Sequence, residues 1–232
     1  MSTANQSPAP VPLERVVVAM DGPSGSGKSS TSRGVATALG LRYLDTGAQF
    51  RAMTVWMLRH DVDLSDPDAI AAASDRPDVV SGTDPAAPTI TVDGEDVAEA
   101  IRSEETTRAV SAVASVPAVR RRLLALQRSI IGAGGIVVEG RDIGSVVAPG
   151  AEVKLYLTAD PAARAARRTA EQQGGDVAST EADLLRRDRI DSTRAAAPLT
   201  VPDGAIHLDT TPLTLDEVVA QVVELVRGVT AP

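Results

Sequence analysis

Gly22-Pro23-Ser24-Gly25-Ser26-Gly27-Lys28-Ser29 matches the phosphate-binding loop pattern G-x-x-x-x-G-K-[ST] at every fixed position. The apolar run Val16-Val17-Val18-Ala19-Met20 precedes it, and a helix-compatible segment from Ser29 to Leu39, closed by Gly40, follows. Strand, glycine loop and helix in that order are what phosphate binding requires. Glycines let backbone N–H groups turn inward around phosphate oxygens, and the helix N-terminus adds its partial positive charge. Gly22 through Ser30 form the expected ATP-binding stretch. Lys28 can reach the terminal phosphates and the Ser29 hydroxyl can hold Mg²⁺. Lys28 is one of only two lysines; the other 21 of the 23 basic side chains are arginine.

At 232 residues the chain can bury one full core, with insertions. Apolar residues make up 43% but aromatics only 2%, so Val, Leu, Ile and Ala must build that core, as suits parallel strands buried on both faces. Zero cysteines exclude disulfides, thiolate zinc sites and cysteine nucleophiles. His60 and His207 are in no metal-ligand spacing and read as surface or helix-end residues, which leaves a Ser-His-Asp hydrolase little support. A net charge of −8 argues against a nucleic-acid coat or polybasic membrane anchor, though not against anionic substrates, which local arginine clusters decide. No apolar run approaches the ~18 residues of a membrane span. Residues 1–12, rich in Ser, Ala and Pro, read as a disordered tail without a secretory signal, so a cytoplasmic protein is expected.

Beyond the first helix, Leu41–Leu44 reads as a second strand ending at Asp45-Thr46-Gly47, with a helix over Gln49–Arg59. Residues 61–108 are acidic and proline-broken, and contain an alternating run from Thr89 to Val97 interrupted by Asp93-Gly94, a hairpin signal. A small β-rich insertion fits best, with a disordered linker as the alternative. Pro117 opens a long basic helix to about Ile131. Ile136–Val138, Val153–Leu157 and Ala205–Leu208 read as strands. Helices are expected from Pro161 to a break at Gly174-Gly175, over Glu181–Arg194, and after the capping box Thr214-Leu215-Asp216-Glu217. The alternation predicts an α/β fold, a three-layer αβα core around a parallel sheet. The core comprises 13–60, 109–160 and 196–228 of a single domain over 13–228, with the insertion at about 61–108 and a helical lid at about 161–195.

A second set of charges falls where ligands bind in open α/β sheets, at the carboxyl ends of strands. Asp45, Thr46 and Arg51 follow the second strand; Glu139, Arg141 and Asp142 follow the Ile136 strand; Ser111 and Arg120 flank the start of the long helix. Arg187, Asp191 and Arg194 share one helical stripe, which on spacing alone reads first as a solvated face with an intrahelical ion pair. Arg164, Arg167 and Arg168 carry the same ambiguity. Ionic residues directly after a buried strand, as in Arg141-Asp142, point instead to a site.

Gly22–Ser30, Leu44-Asp45-Thr46-Gly47-Ala48-Gln49-Phe50-Arg51, Glu139-Gly140-Arg141-Asp142-Ile143-Gly144 and Arg187-Asp188-Arg189-Ile190-Asp191-Ser192-Thr193-Arg194 together resemble the bacterial cytidylate kinase family, in order and spacing, over about Leu13 to Arg227. The resemblance implies transfer of a phosphoryl group from ATP, with Mg²⁺, to CMP or dCMP, giving CDP or dCDP. It implies that Arg51, helped by Arg141, binds the acceptor phosphate, and that Ser111, Arg120 and Asp142 read the cytosine edge. Asp191 with Arg187 would hold the sugar hydroxyls, and Arg187 and Arg194 would sit on a mobile lid. Lys28, Arg141, Arg187 and Arg194 would be the catalytic set, and Thr46 would join the acceptor side. Thr46 stands where serine is frequent, Phe50 where tyrosine is more usual, and Ser145 where threonine is common. No nucleic-acid polymer or membrane partner is implied, and a monomer is expected.

The chemistry agrees. A monophosphate acceptor is already anionic and needs charge neutralisation and alignment more than a strong base. Arginine forks suit phosphoryl oxygens, and an acceptor carboxylate such as Asp142 favours the cytosine amino group over the uracil carbonyl. A phosphate-loop kinase with another nucleotide or an alcohol as acceptor stays open, since Asp45 or Glu139 could serve a hydroxyl as base. A GTP-dependent switch does not, because N-K-x-D needs an asparagine and the chain has only Asn5. Mg²⁺ is expected on Ser29, with Asp45 or Glu139 acting through water.

Overall fold

The structure, a computed structural model, describes residues 10–171, 176–193 and 197–230. Most of the expected N-terminal tail lies outside them. At its end the Val11 amide donates to the Val229 carbonyl at 3.0 Å, which ties it to the last helix. Strand β1 (Val17–Asp21) leads through the glycine loop into α1 (Lys28–Leu39), and Gly40 closes that helix in the left-handed region. β2 (Arg42–Asp45) is followed directly by α2 (Thr46–Arg59). This helix starts at Thr46 rather than Gln49 because the Asp45 carboxylate caps it, accepting from the Ala48 amide at 2.9 Å.

The insertion contains α3 (Pro67–Ala73) and an antiparallel sheet of β3 (Val79–Ser81), β4 (Ile90–Val92) and β5 (Glu95–Asp96), in the order β3-β4-β5. Asp93-Gly94, both at positive φ, make the expected turn between β4 and β5. Helix α4 (Glu104–Ser115) returns the chain to the core, where α5 (Pro117–Ile131), β6 (Ile136–Gly140), a single π-helical turn (Ile143–Val147) and β7 (Val153–Thr158) follow. Then come α6 (Pro161–Glu171) and α7 (Val177–Thr193), which begins ahead of the expected Glu181. Gly174, Gly175 and Arg194 lie outside the described residues. β8 (Ile206–Asp209) and α8 (Leu215–Val229) end the fold, and the capping box forms as expected: the Glu217 amide donates to the Thr214 hydroxyl and the Thr214 amide to the Glu217 carboxylate.

The main sheet is parallel throughout, ordered β2-β6-β1-β7-β8. Side chains alternate across it. Val18, Met20, Val137 and Leu155 pack under α1 and α8 with Val35, Val218, Val222 and Val226. Ala19, Ile136, Val138 and Leu44 face the other way, onto Ile131 of α5 and onto Ile143 and Val147 of the π-turn. This is the expected three-layer arrangement. A third apolar cluster joins α2 to the insertion through Met53, Trp56, Met57, Ile70, Ile90 and Val113. The insertion is therefore anchored by its own core, and the one tryptophan pins it further, donating from Nε1 to Asp93 at 2.6 Å.

Candidate active site

Parallel register brings the ends of three strands together. Asp45 of β2 lies opposite Glu139 of β6, which lies opposite Met20 of β1, with Asp21 and Gly140 next in line. Three acidic or glycine-containing strand ends thus meet at one edge, and the glycine loop leaves from the same edge. Gly22 is at φ +145°, and a Cβ there would be 2.1 Å from the Leu157 carbonyl oxygen, so no other residue fits the turn. The Lys28 ammonium donates to the Pro23 carbonyl at 2.7 Å, folding back over its own loop. Burial and the nearby Arg141 cation push its pKa down from the ordinary lysine value.

Ser29 opens toward the cavity and donates to Glu139 Oε2 at 3.0 Å; the Tyr43 hydroxyl donates to Glu139 Oε1 at 2.5 Å. Glu139 is buried, and that burial, with Asp45 beside it, pushes its pKa up. Tyr43 in turn is pushed up by burial and by the Glu139 charge. Thr46, buried, donates from its hydroxyl to the Glu139 backbone carbonyl at 2.8 Å, so it braces β6 against α2.

Across the cavity, Arg51 of α2 donates to the Ile101 carbonyl and the Thr107 hydroxyl at 2.8 and 2.9 Å. Burial, together with the cations of Arg187 and Arg168, lowers it to about 9, and burial with Arg141 lowers Arg187 to about 10. Both remain charged at neutral pH, crowded in a way that an incoming polyanion would relieve. Arg187 Nε is buried with no hydrogen-bond partner among the described residues. Burial opposes the charge on Arg141, but Asp191, together with Asp188 and Glu139, outweighs it and raises the pKa. Arg141 Nε donates to Asp191 Oδ2 at 2.8 Å, and Nη1 donates to the Gly22 carbonyl at 2.9 Å. Arg120 Nη2 meets Asp142 Oδ2 at 2.5 Å with both side chains nearly buried, and Arg120 also lies over the Phe50 ring, 5.2 Å from its centre. Phe50 thus supports the Arg120 guanidinium by its face, a role that needs no phenol hydroxyl.

These residues line one cavity of about 520 Å³. It holds Gly25, Gly27, Lys28, Ser29 and Ser30 at one end and Arg51, Ser111, Arg120, Asp142, Arg187 and Asp191 at the other, with Arg141 and Glu139 between. Gly22, Pro23 and Ser26 shape the loop without lining the cavity; Ser26 donates to the Pro23 carbonyl at 3.0 Å. The expected site residues therefore converge, apart from Arg194, which lies outside the described residues. The solvated-face reading of the Arg187–Asp191 stripe is corrected: the stripe turns inward because Asp191 finds its partner in Arg141, on another element, and only 9% of it is exposed.

Sequence reading left Arg164 and Arg168 ambiguous and passed over Arg33 and Asp21. Arg168 lines the cavity from α6. Arg164 is buried, donating to the Ser24 carbonyl at 3.0 Å and to Asp188, so it stitches α6 and α7 to the phosphate loop. Arg33 of α1 reaches the Pro85 and Ala86 carbonyls and clasps the insertion to the core. Asp21, wholly buried, accepts from two backbone amides of the π-turn. The signal for Asp21 was available: it is an ionic residue directly after a buried strand, like Arg141-Asp142.

Comparison with known proteins matches residues 18–228 to the family model described as cytidylate kinase. The cytidylate kinase of Streptomyces griseus is 59% identical over 215 residues, covering 92% of this chain and 93% of that protein. The cytidylate kinase of Streptomyces avermitilis is 58% identical, covering 91% and 93%. Among solved structures, an uncharacterised protein from Eubacterium ventriosum shares the fold at a TM-score of 0.52 and 8% identity, over 91% of this chain and 98% of that one.

Proposed function

The chain belongs to the cytidylate kinase family, and from that premise we propose that it transfers the γ-phosphoryl group of ATP to CMP or dCMP, giving ADP and CDP or dCDP. The observation that carries this reading is the two-ended cavity: a phosphate loop with Lys28 at one end, a crowd of arginines and the Arg120–Asp142 pair at the other. ATP lies with its phosphates in the loop. The acceptor phosphate lies among Arg51, Arg141 and Arg187, whose mutual repulsion it relieves. A phosphate oxygen of CMP attacks the γ-phosphorus in line. One P–O bond forms, the bond from the γ-phosphorus to the β–γ bridging oxygen breaks, and the electron pair leaves on ADP. The attacking oxygen carries no proton to remove, so the site needs no general base.

Arg141 bridges both ends, since it holds the Gly22 carbonyl of the donor loop while facing the acceptor side. Lys28 leaves Pro23 for the phosphates, and charge accumulating on the moving phosphoryl group is met by arginine forks. Asp142 accepts from the cytosine amino group, with Arg120 and Ser111 beside it, while a uracil carbonyl there would face the carboxylate. Asp191 and Arg187 hold the sugar.

The donor set suits Mg²⁺, which keeps water and phosphate ligands and needs few from protein. Ser29 Oγ would hold it, and Glu139, a buried carboxylate already hydrogen-bonded to Ser29, would act through water, as would Asp45. Bound there, the ion would neutralise phosphate charge. A coupled ADP-release assay with ATP, Mg²⁺ and CMP, dCMP, UMP, AMP or GMP tests the proposal. Preference for CMP and dCMP supports it; equal rates across the panel, or ATP turnover indifferent to added monophosphate, contradict it.

A further inference from the structure

The base-reading carboxylate Asp142 sits at the mouth of the π-helical turn Ile143–Val147, whose backbone is fastened at both ends by side chains outside the cavity's reacting groups. At the front, Asp21 Oδ1 accepts from the Ile143 amide and Oδ2 from the Gly144 amide, both at 2.7 Å. At the back, Arg128 donates from Nε to the Val147 carbonyl at 3.2 Å and from Nη2 to the Val146 carbonyl at 2.8 Å. One short turn leaves amides at its start and carbonyls at its end without partners of their own, and these two residues supply them.

The fastening leaves little room. A Cβ on Gly144 would meet the Pro202 ring at 3.0 Å and Asp21 Oδ2 at 3.3 Å. Helix α5 grips the segment twice, through Arg120 on Asp142 and through Arg128 two turns later on Val146 and Val147. Asp21 immediately precedes Gly22, whose carbonyl takes Arg141. The donor loop and the acceptor-reading segment are therefore joined by neighbouring residues, Asp21 at the end of β1 and Gly22 at the start of the loop.

We propose that Asp21 and Arg128 are positioning residues for base discrimination: together they fix the π-turn so that the Asp142 carboxylate faces the acceptor base. This rests on the base-reading role given to Asp142 above. Neither residue touches the acceptor in this account, so each acts through the backbone of residues 143–147. Displacement of a reading group by about 1 Å costs up to roughly a hundredfold in efficiency. A partial loosening is expected to cost less.

The test measures kcat and KM for CMP and for UMP at saturating ATP, KM for ATP, and thermal midpoints, in wild type, Asp21→Asn, Arg128→Gln and Arg128→Lys. Arg128 is exposed, so its variants keep the test decisive even if Asp21→Asn fails to fold. The expected result is a roughly tenfold fall in the CMP-to-UMP ratio of kcat/KM in Arg128→Gln and Asp21→Asn, carried by KM for CMP, with KM for ATP held within about twofold. Arg128→Lys, which retains a donor for one carbonyl, should recover part of the ratio. A wild type that prefers CMP, with variants that lose thermal stability but keep the ratio, overturns the positioning role alone. A wild type without preference for CMP overturns the reading of Asp142 on which it rests.

Discussion

At the proposed donor end, the eight consecutive residues Gly22–Ser29 bring backbone amides, Lys28 and Ser29 to one place, whereas the proposed acceptor end draws Arg51 from α2, Ser111 from α4, Arg120 from α5, Arg141 and Asp142 from the end of β6, and Arg187 and Asp191 from α7. The donor end is held by backbone geometry, and its lysine hydrogen-bonds within its own loop. The acceptor end is held by side chains that bridge elements, as in Arg141–Asp191 and Arg120–Asp142. A local device tolerates change elsewhere in the fold. A device assembled from five elements depends on each of them being in place, and its specificity is correspondingly easier to disturb.

Substitutions should expose that difference. Lys28→Met is expected to give the largest effect, a fall in kcat of about a thousandfold or more, because a preorganised cation on the transferring group is lost. Its thermal midpoint should not fall, since the buried ammonium is already disfavoured by desolvation. Steady-state kinetics and a melting curve check both. Arg51→Ala should lower kcat/KM for CMP by about a hundredfold through lost charge-assisted hydrogen bonds, with KM for ATP little changed. An equal rise in both KM values would erase the distinction between the two ends.

Asp21 links the ends and gives a pH signature. Burial raises its pKa from 3.8 to about 6, against the lowering pull of the Ile143 and Gly144 amides, with Asp142 and Lys28 the charges facing it. Between those two values the native state holds a proton that the unfolded chain has released. Its contribution to stability is thus greatest at low pH, is lost as pH rises from about 4 to about 6, and is flat above, a change of roughly 3 kcal/mol. Urea unfolding of wild type and Asp21→Asn across that window should show their stability difference moving against wild type as pH rises; a constant difference contradicts the assignment. Smallest is Asp142→Asn, which should reduce the CMP-to-UMP preference about tenfold while leaving turnover measurable. An unchanged preference would move base reading to another residue.

Legibility followed the same division. The phosphate loop, the five parallel strands and the Thr214–Glu217 capping box could be read from consecutive residues, because each depends on local chemistry. The start of α2 was placed late because the capping side chain, Asp45, looked like the end of a site motif. Strand β3 went unseen since Val79–Ser81 is too short to show alternation, and α3 and α4, opened by Asp66 and Ser103 caps, were hidden in a stretch read for its prolines and acidity. The Arg187–Asp191 stripe could not be oriented from spacing, because the partner that turns it inward, Arg141, is distant in sequence. Arg164 and Arg33 bond to backbone carbonyls of other elements, a kind of contact that leaves no pattern in the chain, whereas Asp21 stands directly after a buried strand and could have been read as Arg141-Asp142 was.

The most direct test of the central claim is to follow the γ-phosphoryl group itself. Purified protein would be given γ-labelled ATP, Mg²⁺ and equal amounts of CMP and UMP, and the labelled products separated over a single turnover. The account predicts label predominantly in CDP, with little in UDP and little in inorganic phosphate. Label released mainly as inorganic phosphate, or divided evenly between CDP and UDP, would contradict it.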